Sequence, residues 1–364
     1  MHPKIRVLIV DDSVVVRRLL SEILSSDPGV EVVGTAATGA LALSKIPLVN
    51  PDVVTLDVEM PDKDGLETLA EIRKLYPRLP VVMFSSVTER AAAATLTALS
   101  LGASDYVTKP SASGGREAST TRVKQELLPK LHALVDSRSH RTAPADSPRR
   151  PVRVTAQVGT KPISLLAIGA STGGPNALAS LFGSIPSSLP VPVVITQHMP
   201  PLFTRLLAER LSAGPGLRFH EATGGETLQP GHAYIAPGDY HLRVIREHRA
   251  LGLALDKSAP ENSCRPSVDV MLRSIAEICG ETTLAVILTG MGQDGLRGCE
   301  QIKAKGGQLI AQDRASSVVW GMPGFVAEAG IADAVLPLDE IAKEILARVA
   351  AHRGSTIRDP AHAD

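Results

Sequence analysis

Three short stretches set reactive side chains at the ends of apolar runs: AIGASTGGP at 167–175, ITQHMP at 195–200 and LTGMGQDG at 288–295. Ser171, His198 and Asp294 are an alcohol, an imidazole and a carboxylate. Together they are what nucleophilic acyl transfer needs: a base to take the serine proton and an acid to orient the base. The first stretch has two other readings. Gly169-x-Ser171-x-Gly173 fits the nucleophile elbow of α/β-hydrolases, and a Gly-rich turn between strand and helix fits a dinucleotide phosphate cradle. The α/β-hydrolase order is serine, acid, histidine, whereas this chain runs Ser171, His198, Asp294. A dinucleotide site wants an acid for the ribose about 20 residues on, and here the next strand ends in Gln197-His198. Among the histidines, His220, His232, His241 and His248 fall in a strand-rich middle or in charged turns. Only His198 directly follows a long apolar run. For the acid, Asp269 lies in a helical stretch and Asp313 ends a later strand, which leaves Asp294 preferred. Its competing role is a helix N-cap.

The first 110 residues carry a second constellation. Asp11 and Asp12 follow the first apolar run, Asp57 the third, Ser85 and Ser86 the fourth, and Lys109-Pro110 the fifth. Carboxylates gathered at one rim repel unless a cation sits among them. Hard oxygen ligands with open positions point to Mg²⁺. A cation beside a carboxylate, a lysine and a hydroxyl would suit phosphoryl transfer onto Asp57. In this reading Lys109 neutralises the transferred oxygens and Ser85 binds one of them, with a cis Lys109-Pro110 bond able to aim the ammonium inward. Alone, each Asp is an ordinary turn or cap residue. Their recurrence after successive strands is what argues for a site.

The elements that must position these groups alternate. Strands are expected at 5–10, 30–35, 52–56, 80–84 and 104–107, with helix-period segments such as 13–26 and 65–75 between them. Apolar strands separated by helices imply parallel sheets covered on both faces. Residues 117–138 read as a closing helix, followed by an aperiodic Ser-, Pro- and Arg-rich linker. A second series starts at 163, with strands at 163–168, 192–197, 217–221, 232–236, 242–246, 251–255, 284–289, 307–311 and 333–336. Its middle group, 217–255, lacks helices and reads as an antiparallel excursion. The fold class is α/β, two doubly wound domains: a (βα)5 unit at 1–125, a helix end and linker at 126–161, a larger Rossmann-like unit at 162–352, and a disordered tail at 353–364. The 364 residues are enough for two cores. A net charge of +0 gives no reason to expect nucleic acid or a membrane as partner. The only basic cluster, Arg149-Arg150 with Arg153, lies in the linker. Three cysteines without metal spacing suit a reducing cytoplasm, and no apolar run approaches the ~18 residues of a membrane helix.

IVDDS, TLDVEMPDKDG, the serine pair and DYVTKP resemble a response-regulator receiver domain. That resemblance implies Mg²⁺ held by Asp12, Asp57 and the Glu59 carbonyl, with Asp11 assisting through water, and Tyr106 as switch aromatic or simply edge-strand packing. GASTGGP, TQHMP, TGMGQDG, RPSVD at 265–269 and WGMP at 320–323 resemble the catalytic domain of the chemotaxis protein-glutamate methylesterases. The implied activity is hydrolysis of glutamyl methyl esters on chemoreceptor helices, and deamidation of receptor glutamines. The implied site is Ser171, His198 and Asp294, with the Thr172 and Met291 N–H groups as oxyanion donors and no cofactor for hydrolysis. A histidine kinase would phosphorylate Asp57 and relieve a block by the resting receiver. Trp320 departs from the pattern and either narrows the substrate entrance or packs. The competing class is a receiver-linked, non-catalytic anion-binding module.

Overall fold

The computed structural model describes residues 3–61, 63–110, 116–142, 152–153, 161–214 and 216–351. The chain divides into two compact units, Met1–Ala145 and Asp146–Asp364.

The first unit alternates β1 (Ile5–Val10), α1 (Val14–Ser25), β2 (Val30–Ala36), α2 (Gly39–Val49), β3 (Val53–Asp57), α3 (Gly65–Leu75), β4 (Val81–Ser85), α4 (Glu89–Ser100), β5 (Asp105–Thr108) and α5 (Arg116–Thr142). Its five strands are parallel in the order β2-β1-β3-β4-β5. Helix starts follow local chemistry. Ser13, Thr38, Asp64 and Thr88 each sit in extended backbone and accept a hydrogen bond from an amide of the first turn, which meets donors a helix leaves unpaired. β1, β3 and β4 are buried almost throughout, as strands covered on both faces must be.

The second unit holds β6 (Val152–Arg153), β7 (Leu165–Ala170), α6 (Gly174–Gly183), β8 (Val193–Gln197), α7 (Phe203–Ser212), β9 (Arg218–Glu221), β10 (His232–Ile235), β11 (His241–Glu247), β12 (Ala250–Asp256), α8 (Val268–Cys279), β13 (Thr283–Ile287), α9 (Leu296–Ala304), β14 (Gln308–Gln312), α10 (Met322–Glu328), β15 (Ala334–Leu336) and α11 (Leu338–Ala350). The main sheet runs β6-β15-β14-β13-β7-β8-β10-β9. Only the edge pair β6–β15 is antiparallel. β9 and β10, expected in the antiparallel excursion, instead join this sheet in parallel. The excursion is the hairpin β11–β12 alone. It packs on α8, which shares a core with β7, β13 and α9 through Met271, Leu272, Ile275, Leu242, Val244 and Leu253.

The order of the sheet reverses at β7. The chain passes from β7 to β8 on one side and later returns with β13 on the other. In such sheets the crevice beyond the carboxyl ends, at the reversal, is the binding site. The segment read as linker supplies the two residues of β6. The rest of it, residues 143–151 and 154–160, and the expected tail at 353–364 lie outside the described residues.

Candidate active site

Ser171 leaves β7 on a tight turn. Its amide donates to the Thr289 carbonyl at 3.0 Å, and Gly174 N returns to the Ser171 carbonyl at 2.7 Å. Gly173 follows at φ +79°, where a Cβ would lie 2.6 Å from Val318 Cγ2, so the turn needs glycine on two counts. A Cβ on Gly174 would meet Gln197 Oε1 at 1.9 Å. That amide matters because its Nε2 donates to the Ser171 carbonyl at 3.0 Å, tying the serine turn to the end of β8. Thr289 Oγ1 donates to the Thr172 carbonyl at 2.9 Å and so fastens the same turn to the end of β13.

His198 lies beside Ser171 because β7 and β8 are in register: Ala170 pairs with Gln197, and His198 N donates to the Ala170 carbonyl at 3.1 Å. The ring is largely enclosed, with 12% of its side chain exposed, and its Nε2 is 2.7 Å from Asp294 Oδ2.

Asp294 is buried and takes five donors. Oδ1 accepts from Asn262 Nδ2 (2.9 Å), Ser267 Oγ (2.8 Å) and Asp269 N (3.1 Å). Oδ2 accepts from Val268 N (2.7 Å) as well as His198. The carboxylate therefore caps the first turn of α8, not its own α9, whose N-cap is Gly295. A helix N-terminus favours an anion. Burial opposes the charge on Asp294, but the His198 ring, the Val268 amide and the Ser267 hydroxyl outweigh it and hold the carboxyl far below the usual carboxylate range. Burial likewise opposes a charged His198. The Cys264 sulfur and the Asp294 carboxylate overcome that and raise the imidazole, favouring its charged form.

Of the three residues, the structure joins His198 and Asp294 and sets Ser171 next to them. Among the described residues, the Ser171 hydroxyl makes no hydrogen bond to His198. Such bonds are often long before substrate binds. Since Nε2 is committed to Asp294, the nitrogen left for the serine is Nδ1. The Thr172 and Met291 amides flank the serine. Thr172 is its neighbour in the chain, and a Cβ on Gly290, the residue before Met291, would lie 2.9 Å from Ser171 Cβ.

The rival candidates lie elsewhere. His220 and His232 pair with each other at 2.9 Å on β9 and β10. His241 is buried between the Ala259 carbonyl and the Ser267 amide. His248 turns the β11–β12 hairpin at φ +53°. Asp313 accepts from Ser316 N. Asp269 does belong to the network, through Asn262 Nδ2, and burial together with the Asp294 charge pushes its carboxyl up. Trp320 packs: Nε1 donates to the Gln312 carbonyl at 3.1 Å, and Arg314 covers the ring at 4.2 Å. Gln197, Asn262, Ser267 and Cys264 were given no role by sequence reasoning, because a polar residue at a strand end or in a turn carries no periodic signal.

In the first unit, carboxylate oxygens of Asp11, Asp12 and Asp57 lie within 4.8 Å of one another. Lys109 Nζ stands 2.7 Å from Asp57 Oδ2 and 3.1 Å from Asp11 Oδ2. Burial, with the Asp11 charge adding to it and Lys109 opposing, raises Asp57 to about 6. Apart from that ammonium, Asp11 Oδ2 and Asp57 Oδ2 are buried oxygens with no hydrogen-bond partner. That donor set fits a hard divalent cation. The Glu59 amide donates to Asp57 Oδ1 at 3.2 Å, and its carboxylate accepts from Ser86 Oγ at 3.0 Å. Ser85 does not face Asp57: its hydroxyl accepts from Thr95 Oγ1 at 2.7 Å and lies 3.3 Å from the Ala91 carbonyl. Tyr106 is buried on edge strand β5 with Lys130 Nζ 5.2 Å over its ring. The cis form allowed for Lys109-Pro110 is not adopted, since the cis peptide among the described residues is Arg265-Pro266. A Cβ on Gly65 would lie 2.1 Å from the Asp57 carbonyl oxygen, which is backbone and cannot swing away. Gly65→Ala is therefore expected to destabilise the receiver by roughly 1–3 kcal/mol and to impair phosphoryl uptake. Thermal melts and labelling by a small phosphodonor would show it.

A wound sheet with alcohol, imidazole and carboxylate at its reversal, preceded by a sheet with an acidic, lysine-bearing rim, has the layout of a response-regulated serine hydrolase. The CheB methylesterase family profile matches residues 166–345, and the response regulator receiver domain profile matches 7–115. The chain is 50% identical over 351 residues to the protein-glutamate methylesterase/protein-glutamine glutaminase of Trichodesmium erythraeum, covering 95% of this chain and 99% of that one. It is 49% identical to the protein of the same name from Nocardioides sp., across 98% of each. The crystal structure of the Thermotoga maritima CheB methylesterase catalytic domain superposes with a TM-score of 0.50 at 45% identity, over 51% of this chain and 98% of that one. The chain belongs to the CheB methylesterase family.

Proposed function

We propose that this chain hydrolyses the methyl esters of glutamate side chains on chemoreceptors, and deamidates receptor glutamines, under control of its receiver. The observation that carries this reading is the Asp294–His198 pair beside Ser171 at the point where the sheet order reverses. Ser171 Oγ attacks the side-chain carbonyl while His198 Nδ1 takes its proton. Asp294 keeps the Nε2 proton in place and balances the imidazolium. The tetrahedral oxyanion rests on the Thr172 and Met291 N–H groups, each worth roughly 2.7–4 kcal/mol at the transition state. His198 then returns the proton to the departing methanol, or to ammonia when the substrate is a glutamine. Water repeats the cycle to free the acyl-serine. No cofactor is needed for this half.

In the receiver, Asp12, Asp57 and the Glu59 carbonyl would hold Mg²⁺, with Asp11 assisting through water. The cation would supply charge neutralisation for phosphoryl transfer from a histidine kinase to Asp57. Lys109 steadies the new phosphoryl oxygens. Ser85 must exchange its Thr95 and Ala91 partners for the phosphoryl group, and that rearrangement, with Tyr106, biases the receiver away from a resting state that blocks the site. The setting is the cytoplasm, where receptor helices and kinase meet. Consistent with this, no described helix is long and apolar enough to cross a membrane.

The test is methanol release from methylated receptor membranes, with and without a small phosphodonor. The full chain should be stimulated by the donor and Asp57→Asn should not. The fragment 162–364 should be active without donor. An Asp57→Asn chain that still responds would remove Asp57 from the switch.

A further inference from the structure

Cys264 takes no part in the proposed hydrolysis beyond its influence on the imidazole, yet its sulfur is 3.5 Å from His198 Nδ1, on the side of the ring turned away from Asp294. It stands on a built turn. Glu261 N donates to the Cys264 carbonyl at 3.1 Å and Cys264 N to the Glu261 carbonyl at 2.9 Å, with Asn262 and Ser263 between them at φ +52° and +62°. Arg273 clamps the Glu261 carboxylate with two nitrogens, each at 2.5 Å. Asn262 Nδ2 bridges Asp269 and Asp294. The thiol is thus fixed beside the imidazole and half-buried, within reach of solvent.

Sulfur and imidazole nitrogen are the ligands thiophilic cations prefer. With Zn–S about 2.3 Å and Zn–N about 2.0–2.1 Å in a tetrahedral arrangement, the two donor atoms stand roughly 3.5 Å apart. A second, independent feature is the far side of the ring. Nε2 is held by a carboxylate, the support that metal-bound histidines ordinarily have. Ligand atoms of His198, Cys264 and Asp294 all lie within 4.8 Å of one another. The Asp294 oxygens are already committed to five donors, so its part is to orient the ring, and water or the Ser171 oxygen completes the sphere.

We propose that His198 Nδ1 and Cys264 Sγ form an inhibitory site for a thiophilic divalent cation, zinc above all. Binding forms one Zn–S and one Zn–N bond and releases to buffer the thiol proton and, from a protonated ring, the Nδ1 proton as well. It takes the lone pair that would accept the Ser171 proton. The inhibitory half of this inference rests on the proposed hydrolysis, whereas the binding half does not.

The experiment uses the full chain in excess Mg²⁺, which keeps the receiver carboxylates occupied. Cobalt(II) chloride is added as a spectroscopic stand-in, and zinc chloride is titrated by calorimetry and against methanol release. The chain should give a sulfur-to-cobalt charge-transfer band, bind one more zinc than Cys264→Ala or Cys264→Ser, and lose at least tenfold of its methanol release to micromolar zinc, with EDTA restoring it. Both variants should lack the band and keep, in the same zinc, whatever rate each shows in zinc-free buffer. A band absent from the parent chain, or retained in both variants, overturns the site. Equal inhibition of parent and variants overturns its inhibitory role. A chain that binds zinc but releases no methanol in zinc-free buffer counts against the hydrolase reading and leaves the metal site standing.

Discussion

Ser171→Ala is expected to lower the kcat for methanol release by on the order of 10⁶-fold, with circular dichroism and thermal melting unchanged. The hydroxyl carries the only covalent step, so nothing nearby can substitute. The removed atom is small, and what anchors the turn is main chain: the Ser171 amide to Thr289, and Gln197 Nε2 to the Ser171 carbonyl. Alanine keeps all of these bonds. The measurement is single-turnover methanol release, beside labelling by a serine-directed phosphonate that should react with the parent and not the variant. Undiminished hydrolysis by Ser171→Ala would exclude this serine as nucleophile.

Asp294→Asn is expected to cost about 10⁴-fold in kcat, although the volume is nearly unchanged. An aspartate accepts from five donors here, while an asparagine has one acceptor oxygen and two N–H groups of its own. If the amide nitrogen turns to His198, it donates to Nε2. The ring proton then moves to Nδ1, the nitrogen that must accept from Ser171. If it turns the other way, it points at Asn262, Ser267 and the Asp269 amide, which are donors in this network. Either choice also leaves an N–H of the α8 first turn without its cap, so the variant should be less stable by roughly 1 kcal/mol. Both readouts are needed. Activity within tenfold of the parent would show that His198 is oriented by something other than Asp294.

Much of the architecture could be read from the chain. Strands sheathed on both faces leave apolar runs that need no partner to be recognised, so β1, β3, β4, β7, β8, β13 and β14 stand close to their expected bounds. The proposed site residues drew notice by their place after such runs. Ser171 and His198 directly follow β7 and β8, Asp294 comes seven residues after β13, and the resemblance supplied the roles proposed for them. What escaped lies in turns and side-chain rotations. β9 and β10 are only four residues each, and nothing in RFHE or HAYI tells parallel from antiparallel pairing. Asn262 and Cys264 reach the site on a turn whose backbone is left-handed at two successive non-glycine residues, Asn262 and Ser263. Ser85 lies where expected, yet its hydroxyl is turned toward α4, a choice made by Thr95 that periodicity does not record.

The register of the second sheet pairs Leu165 on β7 with Thr283 on β13, residues 118 positions apart. Contacts of such separation close late, because the intervening loop loses its freedom before the pairing repays it. Until β13 docks, Asp294 has no first turn of α8 to cap and His198 no carboxylate to hold it. On the proposed mechanism, a chain cut short before residue 294 lacks the carboxylate that orients His198, so the reactive arrangement arrives only with β13 and the turn that follows it.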